Sequence, residues 1–120
     1  MINAYRFYTG SDGLSHVERG TLNLNVLVDA LSIHFQETPP HSIDDWHTAP
    51  TTQYVITLGG ILDFVTVSGE TFTVRPGDVL IAEDLTGSGH KWIMQGDQPW
   101  QRAYIVFKQG TDTQFRKSVA

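Results

Sequence analysis

Hydrophobic and polar positions alternate through most of the chain with the period of a half-buried strand. In "LSIHFQE", Leu31, Ile33 and Phe35 fall on one side and Ser32, His34 and Gln36 on the other. "TQYVITL", "ILDFVTV", "ETFTV", "DVLIAED", "KWIMQ" and "QRAYIVF" are strand-length runs rich in Val, Ile, Thr and aromatic residues. Turn-forming clusters separate them: "TGSDG" (9–13), "ERG" (18–20), "ETPPHS" (37–42), "LGG" (58–60), "VSGE" (67–70), "RPGD" (75–78), "TGSGH" (86–90) and "QGDQP" (95–99). Short strands between regular turns predict an all-β sandwich or barrel. One helix is conceivable, over "NVLVDAL" (25–31), although the run after it reads more naturally as a strand. The polar tail from Lys108 to Ala120 is expected on the surface, and there is no internal repeat or linker.

Composition narrows the picture. At 120 residues, 40% hydrophobic, 11% aromatic and 18% charged, the chain has the balance of one globular domain spanning 1–120. Net charge is −5, and the eight Lys and Arg are scattered, so nucleic acid is not an expected partner. With no cysteine, disulfides, thiolate metal sites and a Cys nucleophile are excluded. No apolar run approaches the roughly 20 residues of a bilayer span and no leader pattern opens the chain, so the expectation is a soluble, cytoplasmic protein with no membrane partner.

The chemistry-bearing residues lie between positions 46 and 94. "WHTAPTTQYVITLGG" carries His47, Gln53 and Gly60, and "RPGDVLIAEDLTGSGH" carries a Pro-Gly-Asp turn at Pro76, Gly77 and Asp78 and then His90. This arrangement resembles the cupin family, whose first motif (here about 46–60) is a His-x-His pair followed by a Glu and a Gly, and whose second (about 76–94) opens on a Pro-Gly-Asp turn and presents another histidine. Three departures stand out: Ala49 replaces the second histidine, Gln53 replaces the Glu, and His90 arrives two residues late. Glu83 stands at the usual proline position and Met94 at the usual Asn. The resemblance implies a cupin-type antiparallel β-barrel, or jelly roll, with His47 and His90 brought to one mouth.

Two imidazoles and an amide oxygen suit a first-row divalent metal, Zn, Fe, Mn, Ni or Cu, though weakly, because Gln53 adds no charge and Ala49 no ligand. His34 and His41 read as a strand-face residue and a solvated loop residue, with ligation the lesser alternative; His16 has no functional case. "AEDLTGSGH" sets Glu83 and Asp84 near His90, which makes a carboxylate–imidazole pair for acid–base catalysis conceivable. Solvated acids are the plainer alternative. Trp46, Tyr54 and Trp92 are the candidate pocket aromatics, although aromatics are mostly core.

Three functions therefore stand open. The first is a metal-dependent enzyme acting on a small organic molecule through His47, Gln53 and His90, with Glu83 or Asp84 as acid or base. The second is a metal-free small-ligand or sensor module, and the third a metal-free isomerase or epimerase using a His–carboxylate pair. The family also implies a homodimer, and the apolar faces of "INAYRFYTG" and "LSIHFQE" predict that N-terminal strands form its interface.

Overall fold

The computed structural model describes residues 1–118. Strand makes up 53% of it, and no helix occurs among the described residues. The strands are β1 (Asn3–Thr9), β2 (Ser15–Leu22), β3 (Ser32–Thr38), β4 (Gln53–Gly59), β5 (Ile61–Thr66), β6 (Thr71–Val74), β7 (Val79–Glu83), β8 (His90–Gln95), β9 (Trp100–Val106) and β10 (Phe115–Lys117). Seven form one sheet in the order β10-β2-β1-β7-β4-β9-β3, and three form a second, β6-β5-β8. Every pairing is antiparallel except that of β1 with β7.

Alternation explains how the two sheets share a core. In β4, Gln53, Val55 and Thr57 are buried while Leu58 is 54% exposed, so one face turns inward. Phe7, Val55, Leu80 and Trp100 from the large sheet meet Leu62, Phe64, Phe72 and Val74 from the small one. Phe64 stacks on Phe72 with centroids 5.3 Å apart and meets Trp100 edge-on at 6.1 Å. Each such ring withdrawn from water contributes about 1.5–3 kcal/mol. A second cluster, Ala4, Val79 and Ile81, lies on the outer face of the large sheet beneath Phe115 and Leu22.

Three expectations from the sequence change here. Residues 25–31 are irregular rather than helical: Leu27 is fully exposed and Val26 and Leu31 largely so, leaving no stripe to bury against the core. "ERG" is not a turn but part of β2. A Cβ on Gly20 would sit 2.1 Å from the Arg116 carbonyl, so this glycine lets β10 approach rather than letting the chain reverse. The tail keeps to the surface as expected, with Lys108, Arg116 and Lys117 exposed, and adds that tenth strand at the sheet edge; Val119 and Ala120 lie outside the described residues. Finally, β1 is paired on both sides, by β2 and β7, and is not an open edge. The other N-terminal run, β3, is an edge strand with Ile33 59% and Phe35 69% exposed.

Candidate functional site

His47 does not start a strand. It sits in the proline-containing segment between β3 and β4, attached to β8 by a single antiparallel bridge. His47 N donates to the His90 carbonyl at 3.0 Å and His90 N to the His47 carbonyl at 2.8 Å. Trp92 N donates to Asp44 Oδ2 at 3.2 Å, and a second bridge joins Ile43 to Ile93. These bonds bring the two imidazoles together edge to face, with centroids 4.7 Å apart.

Behind His90 lies a sealed polar network. Asp84, the first residue after β7, has no solvent exposure, and neither has Ser15 at the start of β2. Asp84 Oδ2 accepts the Ser15 hydroxyl at 2.7 Å and His90 Nδ1–H at 2.7 Å, while Oδ1 accepts Ala49 N–H at 3.3 Å. Ser15 Oγ in turn accepts Gly89 N–H at 2.9 Å, so its own proton is directed to the carboxylate. Burial pushes the Asp84 pKa up, but the bonds from His90, Ser15 and Ala49 outweigh it and hold the carboxyl below its ordinary value. An ionised Asp84 can only accept, so His90 carries its proton on Nδ1. His47 follows the same logic, since its Nδ1 lies 2.8 Å from the Asp45 carbonyl, which also can only accept. In the neutral form of either ring, the nitrogen left with a bare lone pair is therefore Nε2.

Those rings border a cavity of about 60 Å³, walled by Val55, Phe64, Leu80, Trp92, Trp100 and Tyr104. By the roughly 10–15 Å³ that one water needs, this space has room for an ion and a few waters. Gln53 also borders it and is only 7% exposed. His47, Gln53 and His90 thus converge. Trp92 joins the wall and meets Trp100 edge-on at 5.4 Å. His90 is further pinned by Phe7, stacked at 4.0 Å and 8°.

Other candidates lie elsewhere. Glu83 faces away, because Ala82 turns inward and its neighbour must turn outward; Arg6 Nε reaches it at 3.3 Å, so it is a surface ion-pair member and not an acid or base for the cavity. Tyr54 is likewise on the outer face, donating to the Thr113 carbonyl and packing on Phe107, which removes it from the pocket. Trp46 is 43% exposed under the Lys91 ammonium, 4.4 Å from its ring centre, outside the cavity wall. His34 stacks on Tyr104 at 4.8 Å, and His41 pairs with Asp97 at 2.9 Å on the surface. His16 is clasped by Asp12 and Glu70, which raise its pKa.

Sequence reading missed Ser15. Its place follows from register: β1 pairs Tyr8 with Glu83 across the parallel contact and Thr9 with Ser15 across the hairpin, which delivers Ser15 to the residue after Glu83. Nothing local to "LSH" announces that. Among the described residues no group of three or more His, Cys, Asp or Glu forms a metal-holding set; the three converging donors include an amide. No helix is long and apolar enough to cross a membrane.

The fold and site define an all-β, two-sheet protein with a buried Asp–His pair behind a small histidine-lined cavity. No protein-family model matches the chain, and no curated protein matches it in sequence.

Proposed function

We propose that the protein is a cupin-type barrel that acts on a small organic molecule, with a divalent first-row metal held by Nε2 of His47, Nε2 of His90 and the side-chain oxygen of Gln53. One observation carries this reading: each imidazole has its Nδ1 proton committed to an acceptor, Asp84 for His90 and the Asp45 carbonyl for His47. Metal-ligating histidines are oriented in this way, and the partner both fixes the tautomer and makes the free nitrogen more basic. Gln53, more than nine-tenths buried and on the wall of the same cavity, supplies the third donor. The metal would supply Lewis acidity toward a substrate oxygen. The chain's own contribution is the Ser15–Asp84 support beneath His90 and the apolar wall that excludes water. A substrate larger than a few atoms requires the 39–52 segment to open, because the cavity is only about 60 Å³.

The test is metal analysis of untagged protein after supplementation with each candidate ion, beside His47→Ala and His90→Ala. Bound metal that both variants lose is the expected result. Metal-free wild-type protein under every supplementation overturns the reading.

A second reading is favoured by the 2.7 Å Asp84–His90 bond itself. Without metal, His90 Nε2 would act as a general base whose protonated form Asp84 stabilises, the chemistry of an isomerase or epimerase. Turnover that survives chelation and disappears in Asp84→Ala would select it. Ligand retained in native mass spectrometry without turnover would select a binding module instead. For assembly, we propose a homodimer through β3, supported by its free edge and its exposed Ile33 and Phe35.

A further inference from the structure

A second cleft lies away from the histidines, where the edge strand β6 of the small sheet faces β1 and β2 of the large one. It measures about 490 Å³, against about 60 Å³ at the histidines, and falls within the roughly 300–1,000 Å³ of small-molecule sites. Its lining is polar and charged: Arg19, Arg75, Asp63, Thr71 and Thr73 surround the Tyr5 ring. Thr71, Thr73 and Arg75 share one face of β6 and its continuation, as alternate residues must, while Phe72 and Val74 turn into the core.

The charges are arranged unusually for a surface. Arg19 and Arg75 form no ion pair with any carboxylate among the described residues, although Asp63 borders the same cleft. Asp63 Oδ1 is instead engaged by neutral donors, the Thr73 hydroxyl at 2.6 Å and the Gln95 amide at 2.8 Å. Arg19 is held in place before any ligand arrives. It stands directly across from Tyr5 in the β1–β2 register, its guanidinium lies 5.7 Å from the centre of that ring, and Nη2 donates to the Thr71 carbonyl at 3.4 Å. Tyr5 is fixed in turn by parallel stacking on Phe72 at 4.6 Å. A chain of net charge −5 thus places two of its eight cations, unneutralised, at one preformed cleft.

We infer that this cleft binds a phosphate monoester of a small hydroxylated molecule. Two guanidiniums lining one cleft match the charge of a phosphate dianion, and each has the paired N–H groups that such a group accepts. Asp63 Oδ2, the oxygen not engaged by Thr73 and Gln95, accepts a hydroxyl of the organic part, and its charge disfavours ligands that are anionic at both ends. A held Arg19 lowers the ordering cost of binding.

The probe is glycerol 3-phosphate, titrated into the full chain by calorimetry and by amide NMR, with inorganic phosphate and glycerol as comparisons. Saturable binding is expected, tighter than that of inorganic phosphate, with shifts confined to β1, β2, β5, β6 and the 75–78 turn that carries Arg75. Arg19→Ala and Arg75→Ala should each weaken it roughly tenfold or more, the worth of one charge-assisted contact. Asp63→Asn should reduce the preference over inorganic phosphate, and His47→Ala should leave affinity unchanged. Both arginines are solvent-exposed, so their removal leaves the core intact and unfolding curves verify this. No saturation by about 10 mM, an affinity too weak to be specific, overturns the inference. So does inorganic phosphate binding as tightly as the ester, or binding indifferent to both arginine substitutions.

Discussion

Replacing Asp84 by Asn keeps the buried volume and removes the charge, which makes it the sharpest probe of the network beneath His90. Three donors converge on the carboxylate: Ser15 and His90 on Oδ2 and Ala49 N–H on Oδ1. An amide offers one oxygen and two N–H groups, so one donor must face another donor whichever way it turns. With its oxygen toward Ser15 and His90, its NH₂ meets the Ala49 N–H. With its NH₂ toward them, His90 escapes the clash only by moving its proton to Nε2, which removes the lone pair from the cavity. Bonds to a charged group are worth about 1.5–3 kcal/mol each, and an unmatched buried donor costs about 1–3 kcal/mol. Allowing for partial rearrangement, Asp84→Asn should lose about 2–4 kcal/mol at neutral pH. For a chain of this length that corresponds to a fall of about 10 °C in Tm, read by circular dichroism alongside urea unfolding.

The pH dependence supplies the sign. The Asp84 pKa is lower in the folded protein than its ordinary value, so its contribution is complete above the unfolded pKa and is lost as pH falls through the folded one. The gap between wild type and Asp84→Asn should therefore narrow below about pH 4. A double-mutant cycle with Ser15→Ala should give a coupling of at least about 0.5 kcal/mol, because the two side chains share one bond. An Asn variant within about 0.5 kcal/mol of wild type at pH 7, or a gap that persists unchanged at low pH, would refute the reasoning.

Three further outcomes are expected. Gln53→Glu should tighten divalent-metal binding, measured by competition with a chromogenic chelator, because an anionic oxygen adds the charge that two neutral imidazoles lack; equal or weaker binding would mean that Gln53 is not a ligand. Gly87→Ala should destabilise by about 1–3 kcal/mol in urea, since a Cβ there would lie 2.2 Å from Ser15 Oγ, and an unaffected midpoint would show that the 84–89 turn yields freely. In light scattering, wild type should have twice the 13.4 kDa chain mass and Phe35→Lys should shift toward one chain; a wild-type monomer at micromolar concentration removes the β3 dimer.

Much of the strand content was legible because the runs that became β4 through β9 are short, rich in β-branched and aromatic residues or, as in β7, continuously apolar, and set between turn residues. Strand β2 was hidden by Gly20, which in isolation signals a turn and in the fold admits β10. Alternation separates two faces of a strand but does not say which face finds a partner. That is why the sequence of β3 shows an apolar face to bury but not what would cover it, and in the fold that face is exposed at a sheet edge. The candidate site divides in the same way. His47, Gln53 and His90 could be named from motif spacing, and Trp92 from its neighbourhood. Glu83 and Asp84, adjacent and alike in sequence, go to opposite fates because β7 ends between them: Glu83 keeps the strand's outward direction and reaches Arg6, whereas Asp84 turns under the chain.

Ala49 bears on what the site can hold. Ala49 is buried, and its backbone N–H binds the same carboxylate that supports His90. The position thus helps to hold Asp84, and the one buried carboxylate near the cavity stands behind an imidazole rather than in front of it. None of the three donor side chains facing the cavity is anionic, and the nearest negative charge acts through His90. A dication there would keep most of its charge, which favours an anionic oxygen from substrate or solvent as the completing ligand. Without a dication, the same placement gives His90 a partner that stabilises its protonated form. The two readings therefore make opposite demands on one nitrogen, His90 Nε2: a metal requires its lone pair to stay bound, whereas base catalysis requires that lone pair to take up a proton and release it.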